Sequence, residues 1–257
     1  MTPKIITIAM GKGGVGKSTT AAHIAMSYAE QGCRTLLVDL DFQDAAGKLV
    51  RPQGDPARQG VTNVLMFQRP LDQEIQPTRH MLLDLLSNNE MGRSLGGMLG
   101  AQATLRLGMA LEDAEGYEYI IIDTPPSDPA LIEAALTVAD AAILPVQVDE
   151  LAIAALRSFV ATVNTVIDRK GHMPWWILPT MHDNVTVASR IGLAELQTTG
   201  EQCLTPISNR ADVRSAATLH QTTLESHPKS QVAQQYRDLA AWVAEALTTK
   251  ETVDHGN

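Results

Sequence analysis

The chain has 257 residues, 44% of them hydrophobic and 4% aromatic, enough for a sizeable aliphatic core of the α/β kind. A formal net charge of −9 repels nucleic acid and anionic lipid on average, so contact with either needs a local basic patch. Two cysteines, Cys33 and Cys203, form no close pair, which argues against a zinc or iron–sulfur site and fits reduced thiols in a cytoplasmic protein.

Residues 4–9 (Lys-Ile-Ile-Thr-Ile-Ala) are a short, apolar, β-branched run that reads as a buried strand. It begins almost at the first residue, leaving no room for a signal peptide. No apolar run approaches the ~20 residues that cross a bilayer, so the expectation is a soluble chain. Next come Gly11-Lys12-Gly13-Gly14-Val15-Gly16-Lys17-Ser18-Thr19, with the spacing glycine, four residues, Gly-Lys-Ser, and then an Ala-rich helix free of glycine and proline. Strand, glycine loop and helix together make a phosphate cradle, because glycines let backbone N–H groups turn toward an anion that the helix N-terminus also favours. Lys17 would reach the β- and γ-phosphates, and the Ser18 hydroxyl would complete the coordination of Mg²⁺. The cofactors expected are therefore ATP and Mg²⁺.

A second strand over residues 34–39 ends in Asp39-Leu40-Asp41-Phe42-Gln43. Carboxylates there lie on the edge where open α/β sheets bind ligands, and strand alternation puts Asp39 and Asp41 on one side, toward a bound Mg-nucleotide. Residues 51–79 read as loops with one short helix near 61–65. Residues 80–86 are a third strand, and the glycine-rich 92–97 a mobile connection before a helix over 101–114. Residues 117–123 are an apolar strand ending in Asp123, the arrangement that holds Mg²⁺ through a water. The Thr124-Pro125-Pro126-Ser127 that follows cannot continue the strand and should form a switch loop beside the γ-phosphate. A helix (129–138), a strand (141–147), a long amphipathic helix (149–168), a strand (174–181), a helix (185–198), a short strand (203–207) and a terminal helix (230–247) complete the pattern, with a polar tail from about 248 to 257. This alternation predicts one α/β domain spanning 1–257, a three-layer, mostly parallel sheet with helices on both faces.

The run Lys12-Gly-Gly-Val-Gly-Lys17-Ser18 resembles the "deviant" Walker A motif of the ParA/MinD family of P-loop ATPases, whose extra lysine reaches across a nucleotide-sandwich dimer to the partner's phosphates. Asp39-x-Asp41-x-Gln43 is similar to that family's Asp-x-Asp-x-Gln, although Phe42 and Asp44 stand where relatives commonly carry Pro and Gly. Thr180-Met181-His182-Asp183 resembles a family turn near the adenine, which makes Met181 a base-contact candidate, with Pro206 as a second. The likeness is weak over 51–79 and 92–100. Carried over by position, it implies Lys12, Lys17 and Asp41 as catalytic residues and Gly11 to Thr19 as the phosphate loop. Ser18, Asp39 and Asp123 would serve the metal.

The resemblance is to the short ParA type, with no helix-turn-helix before the first strand, no basic membrane helix at the end, no paired cysteines and no tyrosine-rich tail. It implies slow ATP hydrolysis, a homodimer formed on ATP, DNA bound without sequence preference through Arg190 and Arg214, and no membrane partner. A ParB-like or other cargo-adaptor protein would stimulate hydrolysis, with the protein on the nucleoid. The alternative is a metabolic or metallocentre-assembly ATPase of the same fold that acts on a small substrate.

Overall fold

A computed structural model describes residues 2–183, 187–198 and 203–254. Seven strands form one sheet: β1 (Lys4–Ile8), β2 (Thr35–Asp39), β3 (Gln76–Pro77), β4 (Leu83–Leu86), β5 (Tyr119–Asp123), β6 (Ala141–Gln147) and β7 (Trp175–Thr180), in the order β3-β4-β2-β5-β1-β6-β7. Every pairing is parallel except that of β3 with β4. Helices α1 (Lys17–Glu30), α2 (Ala45–Val50) and α12 (Gln231–Asp254) cover one face of the sheet. Helices α3 (Gly60–Phe67), α5 (Leu95–Leu99), α6 (Gln102–Glu112), α7 (Pro129–Val138) and α8 (Glu150–Lys170) cover the other. Both faces are buried, so the inner strands are mostly apolar, with the buried carboxylates Asp39 and Asp123 at their C-terminal ends. In β5, Ile121 packs under α1 and α12, while Ile120 and Ile122 face α6 and α7. The expected three-layer α/β architecture is the one observed.

Several boundaries shift for local reasons. The third expected strand is paired only over Leu83–Leu86, because Thr78 donates to the Leu83 carbonyl at 2.7 Å and the Leu83 amide to that of His80 at 3.0 Å, closing a turn ahead of it. The stretch read as loops with one helix holds α3, a short α4 (Leu71–Glu74) and the edge strand β3, where Pro77 is tolerated because an edge needs fewer ladder donors. The glycine-rich 92–97 is ordered into the end of a 3₁₀ turn (Glu90–Gly92) and the start of α5.

Residues 203–207 lie extended along β7 but form isolated bridges, not a ladder. Leu204 and Ile207 donate to the Ile177 and Pro179 carbonyls, and Pro206 between them has no N–H to give. Helix α9 (Val187–Thr198) covers the described part of the predicted helix; positions 185 and 186 lie outside the described residues. Past α10 (Ala211–Thr218) and α11 (Thr223–Ser226), α12 runs through the segment read as a polar tail as far as Asp254; positions 255–257 lie outside the described residues.

One expectation is corrected by α8. From Leu151 to Lys170 it is long and apolar enough, by length and composition, to cross a membrane. One side of it serves the core: Ala152, Leu156, Phe159 and Val163 pack beneath β6 and α7, while Leu151 is exposed.

Candidate functional site

The C-terminal ends of β1, β2 and β5 meet at one edge of the sheet. Register sets Ile8 of β1 beside Asp123 of β5, and Asp39 of β2 beside Asp123 on the other side. Between β1 and α1 runs the loop from Gly11 to Gly16. Gly14 and Gly16 adopt φ of 76° and 91°, the left-handed region where a side chain is strained. Thr180, at the end of β7, closes this loop from below by donating to the Val15 carbonyl at 2.7 Å. The sequence marks Thr180 only as the start of the Thr-Met-His-Asp turn; its bond to a loop 165 positions away leaves no local signal.

Two lysines of the loop are placed differently. Lys17 is 6% exposed and donates to the Lys12 carbonyl at 3.1 Å, so its ammonium folds back over the loop. Burial lowers its pKa, opposed by the nearby carboxylates of Asp123 and Asp41. Lys12 is partly exposed and points along the rim to Asp149, 3.3 Å away at the start of α8. Asp149 was read only as the beginning of a helix.

Asp123 is fully buried, and neither carboxylate oxygen has a geometrically satisfied hydrogen bond. Burial pushes it up to about 7, with Ser18 and the Lys17 ammonium opposing the shift. A buried, orphaned carboxylate beside a hydroxyl is what a hard divalent cation would satisfy, so Asp123 and Ser18 fit Mg²⁺. Among the described residues no group of three or more His, Cys, Asp or Glu side chains could hold a metal.

Asp39 is placed otherwise. Its Oδ1 accepts the Asp41 amide at 3.0 Å, and its Oδ2 accepts the Ala46 and Gly47 amides at 2.9 and 3.0 Å, so it closes the first turn of α2. Burial and the charges of Asp123 and Asp44 push its pKa well up, and the Gly47 amide opposes them. Asp41 is 8% exposed and accepts the Gln43 amide at 3.0 Å, a bond within its own loop.

Beside Gly16 and Thr19 opens a cavity of about 180 Å³ lined by Thr180, Met181, Ile207, Arg214 and Tyr236. Met181 thus lines the cavity that adjoins the phosphate loop. Pro206 does not line the cavity; its carbonyl accepts Gln235 Nε2 at 3.0 Å. Arg214 does line it and donates to Asn209 Oδ1 at 3.1 Å, whereas Arg190 is exposed on α9. The two arginines sit on separate helices, α9 and α10, as their separate segments of the sequence imply.

A family model described as an AAA domain matches residues 3–173. The chromosome-partitioning ATPase Soj of Thermus thermophilus is 34% identical over 241 residues, covering 91% of this chain and 93% of that protein. Among solved structures, cobyrinic acid a,c-diamide synthase from Mycobacterium smegmatis with bound ADP and magnesium superposes with a TM-score of 0.82 at 28% identity, covering 96% of each chain. A putative plasmid partition protein of Borrelia burgdorferi bound to AMPPNP gives 0.77 at 25% identity, covering 95% of this chain and 99% of that one.

Proposed function

The chain belongs to the ParA/Soj family of P-loop ATPases, and from that premise we propose that it is a partition or positioning ATPase that dimerises on Mg-ATP. The observation that carries this reading is the contrast between the two loop lysines: Lys17 turned inward, Lys12 outward on the rim. An inward ammonium serves the chain's own phosphates. An outward one, held only by a part-exposed pair with Asp149, can be released to those of a second copy.

In the proposed cycle Lys17 and the amides of residues 11–19 neutralise phosphate charge, while Ser18 and Asp123 hold the metal. Mg²⁺ held there by Ser18 and Asp123 would neutralise charge developing on the phosphates. Asp39 keeps the turn into α2 closed and so fixes where Asp41 stands. Asp41 orients the attacking water. A positioning carboxylate without a strong base gives slow turnover, and a partner protein of the ParB-like kind would accelerate it. The dimer would bind DNA without sequence preference, with Arg190 as the candidate contact on an exposed helix face and Arg214 linking that surface to the base cavity.

The likeness to the diamide synthase structure favours a second reading, a metabolic ATPase of the same fold acting on a small substrate. One experiment separates them: retention on random-sequence DNA with Mg-ATP, with ADP, and with the Lys12→Ala variant. Salt-sensitive binding that requires ATP and Lys12 is the expected result. Equal retention with ADP, or none at all, would overturn the partition reading.

A further inference from the structure

Three contacts fasten residues 88–100 to both loops beside the candidate site. Asn88, fully buried, donates from Nδ2 to the Leu40 carbonyl at 3.1 Å, immediately before Asp41. Arg93 lies over the Phe42 ring, its Cζ 4.6 Å from the centroid, and Glu90 grips the guanidinium at 2.6 Å. On the other side the Gly96 amide donates to Asp128 Oδ2 at 3.1 Å; the second oxygen of Asp128 caps α7, just after the Thr-Pro-Pro-Ser loop.

Two glycines permit the approach. A Cβ on Gly92 would overlap the Asn88 amide, and one on Gly96 would overlap the Asp128 carboxylate. At Gly97, next in the chain, nothing lies within 4 Å of the same position. The requirement at 96 therefore comes from the contact and not from the helix.

We infer that residues 88–100 are a strap coupling the loop that carries Asp41 to the loop that follows Asp123, and that Arg93 is a positioning residue for hydrolysis, acting through Phe42. Phe42 adjoins Asp41 in the chain, and the Asp41 carboxylate is held by an amide of its own loop, so the loop's placement decides where that carboxylate points. A cation over an aromatic face restrains the ring without burying it. With Gly96 on Asp128, the restraint spans both loops, and neither shifts without the other.

The inference rests on the assignment of Asp41 to hydrolysis. It is tested on the full chain by steady-state ATP hydrolysis alongside equilibrium nucleotide affinity, for Arg93→Ala, Arg93→Lys, Gly96→Ala and Gly97→Ala. Arg93→Ala and Gly96→Ala should lower kcat about threefold to tenfold and leave nucleotide affinity within about twofold. Arg93→Lys, which keeps a cation over the ring, should recover most of the loss, and Gly97→Ala should match the wild type.

Wild-type kcat in Arg93→Ala, a loss that lysine does not rescue, or equal impairment of Gly96→Ala and Gly97→Ala would overturn the strap. If Gly96→Ala does not fold, the Arg93 pair decides alone, since that side chain is 62% exposed. Asp41→Ala run in parallel separates the two claims. Wild-type hydrolysis there overturns the role of Asp41 itself, whereas an inactive Asp41→Ala with a fully active Arg93→Ala overturns only the strap.

Discussion

Lys12 Nζ lies 3.3 Å from Asp149 Oδ1 within one chain, and the same oxygen accepts the Ala152 amide at 2.8 Å to cap α8. The lysine proposed to serve a second copy is thus held by its own molecule. Both side chains are partly exposed, so the pair contributes about 0.2–1 kcal/mol and is readily released. Asp149→Asn keeps a good helix cap while removing the charge. We predict that it lowers the protein concentration at which dimers form on a non-hydrolysable ATP analogue, by about twofold to fivefold. Sedimentation velocity across a concentration series reads this directly. A midpoint that stays in place or rises would show that the pair does not compete with dimerisation.

His23 gives a pH dependence of stability. It is buried in α1 between the Thr19 carbonyl at Nδ1 (2.7 Å) and, at Nε2, the hydroxyl and amide of Thr223 (2.9 and 3.0 Å). Because Nε2 accepts the Thr223 amide, the ring is neutral with its proton on Nδ1. Burial lowers its pKa from 6.5 to about 4, against the Thr19 carbonyl and the Glu225 charge. The unfolded chain therefore binds the extra proton first, and the contribution of His23 is complete above pH 6.5 and lost as pH falls toward 4. Urea unfolding at pH 7.5 and pH 4.5 should show a drop, of which His23→Gln removes up to roughly 3 kcal/mol. An identical drop in wild type and variant would exclude His23 as its source.

The phosphate loop and Asp123 were legible because their signals are local. Glycine spacing, a lysine and an acidic strand end are each read within ten residues. What escaped depends on distant partners. Gly92 and Gly96 look like a flexible linker until Asn88 and Asp128 are set against them, and alternation sets Asp39 and Asp41 on one side without showing that amides of α2 occupy the first. The apolar average of α8 is likewise mute about which side faces the sheet. Arg214 is picked out by its resemblance to basic positions of relatives, and only folding reveals that it borders the cavity beside Gly16 and Thr19.

Removing the metal should reveal the role of Asp123. Pairing of β2 with β5 buries its carboxylate beside that of Asp39, an arrangement that a divalent cation relieves. Thermal unfolding with ATP should show a magnesium-dependent stabilisation, about 2.7 kcal/mol at a hundredfold excess over Kd, that EDTA abolishes. Asp123→Asn should unfold at a higher temperature than wild type without nucleotide, and gain little from magnesium. A variant that keeps the full magnesium increment would remove Asp123 from the metal site.

The turn into α2 depends on an ion pair of a different kind. Asp44 and Arg51 meet at 2.7 Å, with side chains only 2% and 7% exposed, and burial raises the Asp44 pKa although Arg51 pulls it down. Asp44 sits at φ 52°, a left-handed position that suits glycine, and a Cβ on Gly47 would overlap its carboxylate. Asp44→Gly relieves the backbone but strands a buried guanidinium, and breaking such a pair costs about 3–5 kcal/mol, more than the roughly 1 kcal/mol the backbone recovers. We therefore predict net destabilisation of about 2–4 kcal/mol for Asp44→Gly by denaturant unfolding, most of it restored in Asp44→Gly/Arg51→Met, where no buried charge is left alone. Because Asp39 closes the same turn through the Ala46 and Gly47 amides, the double variant should also retain ATP hydrolysis. If Asp44→Gly proves as stable as wild type, the pair is a neutral substitute for glycine, and the αL backbone alone determines the loop.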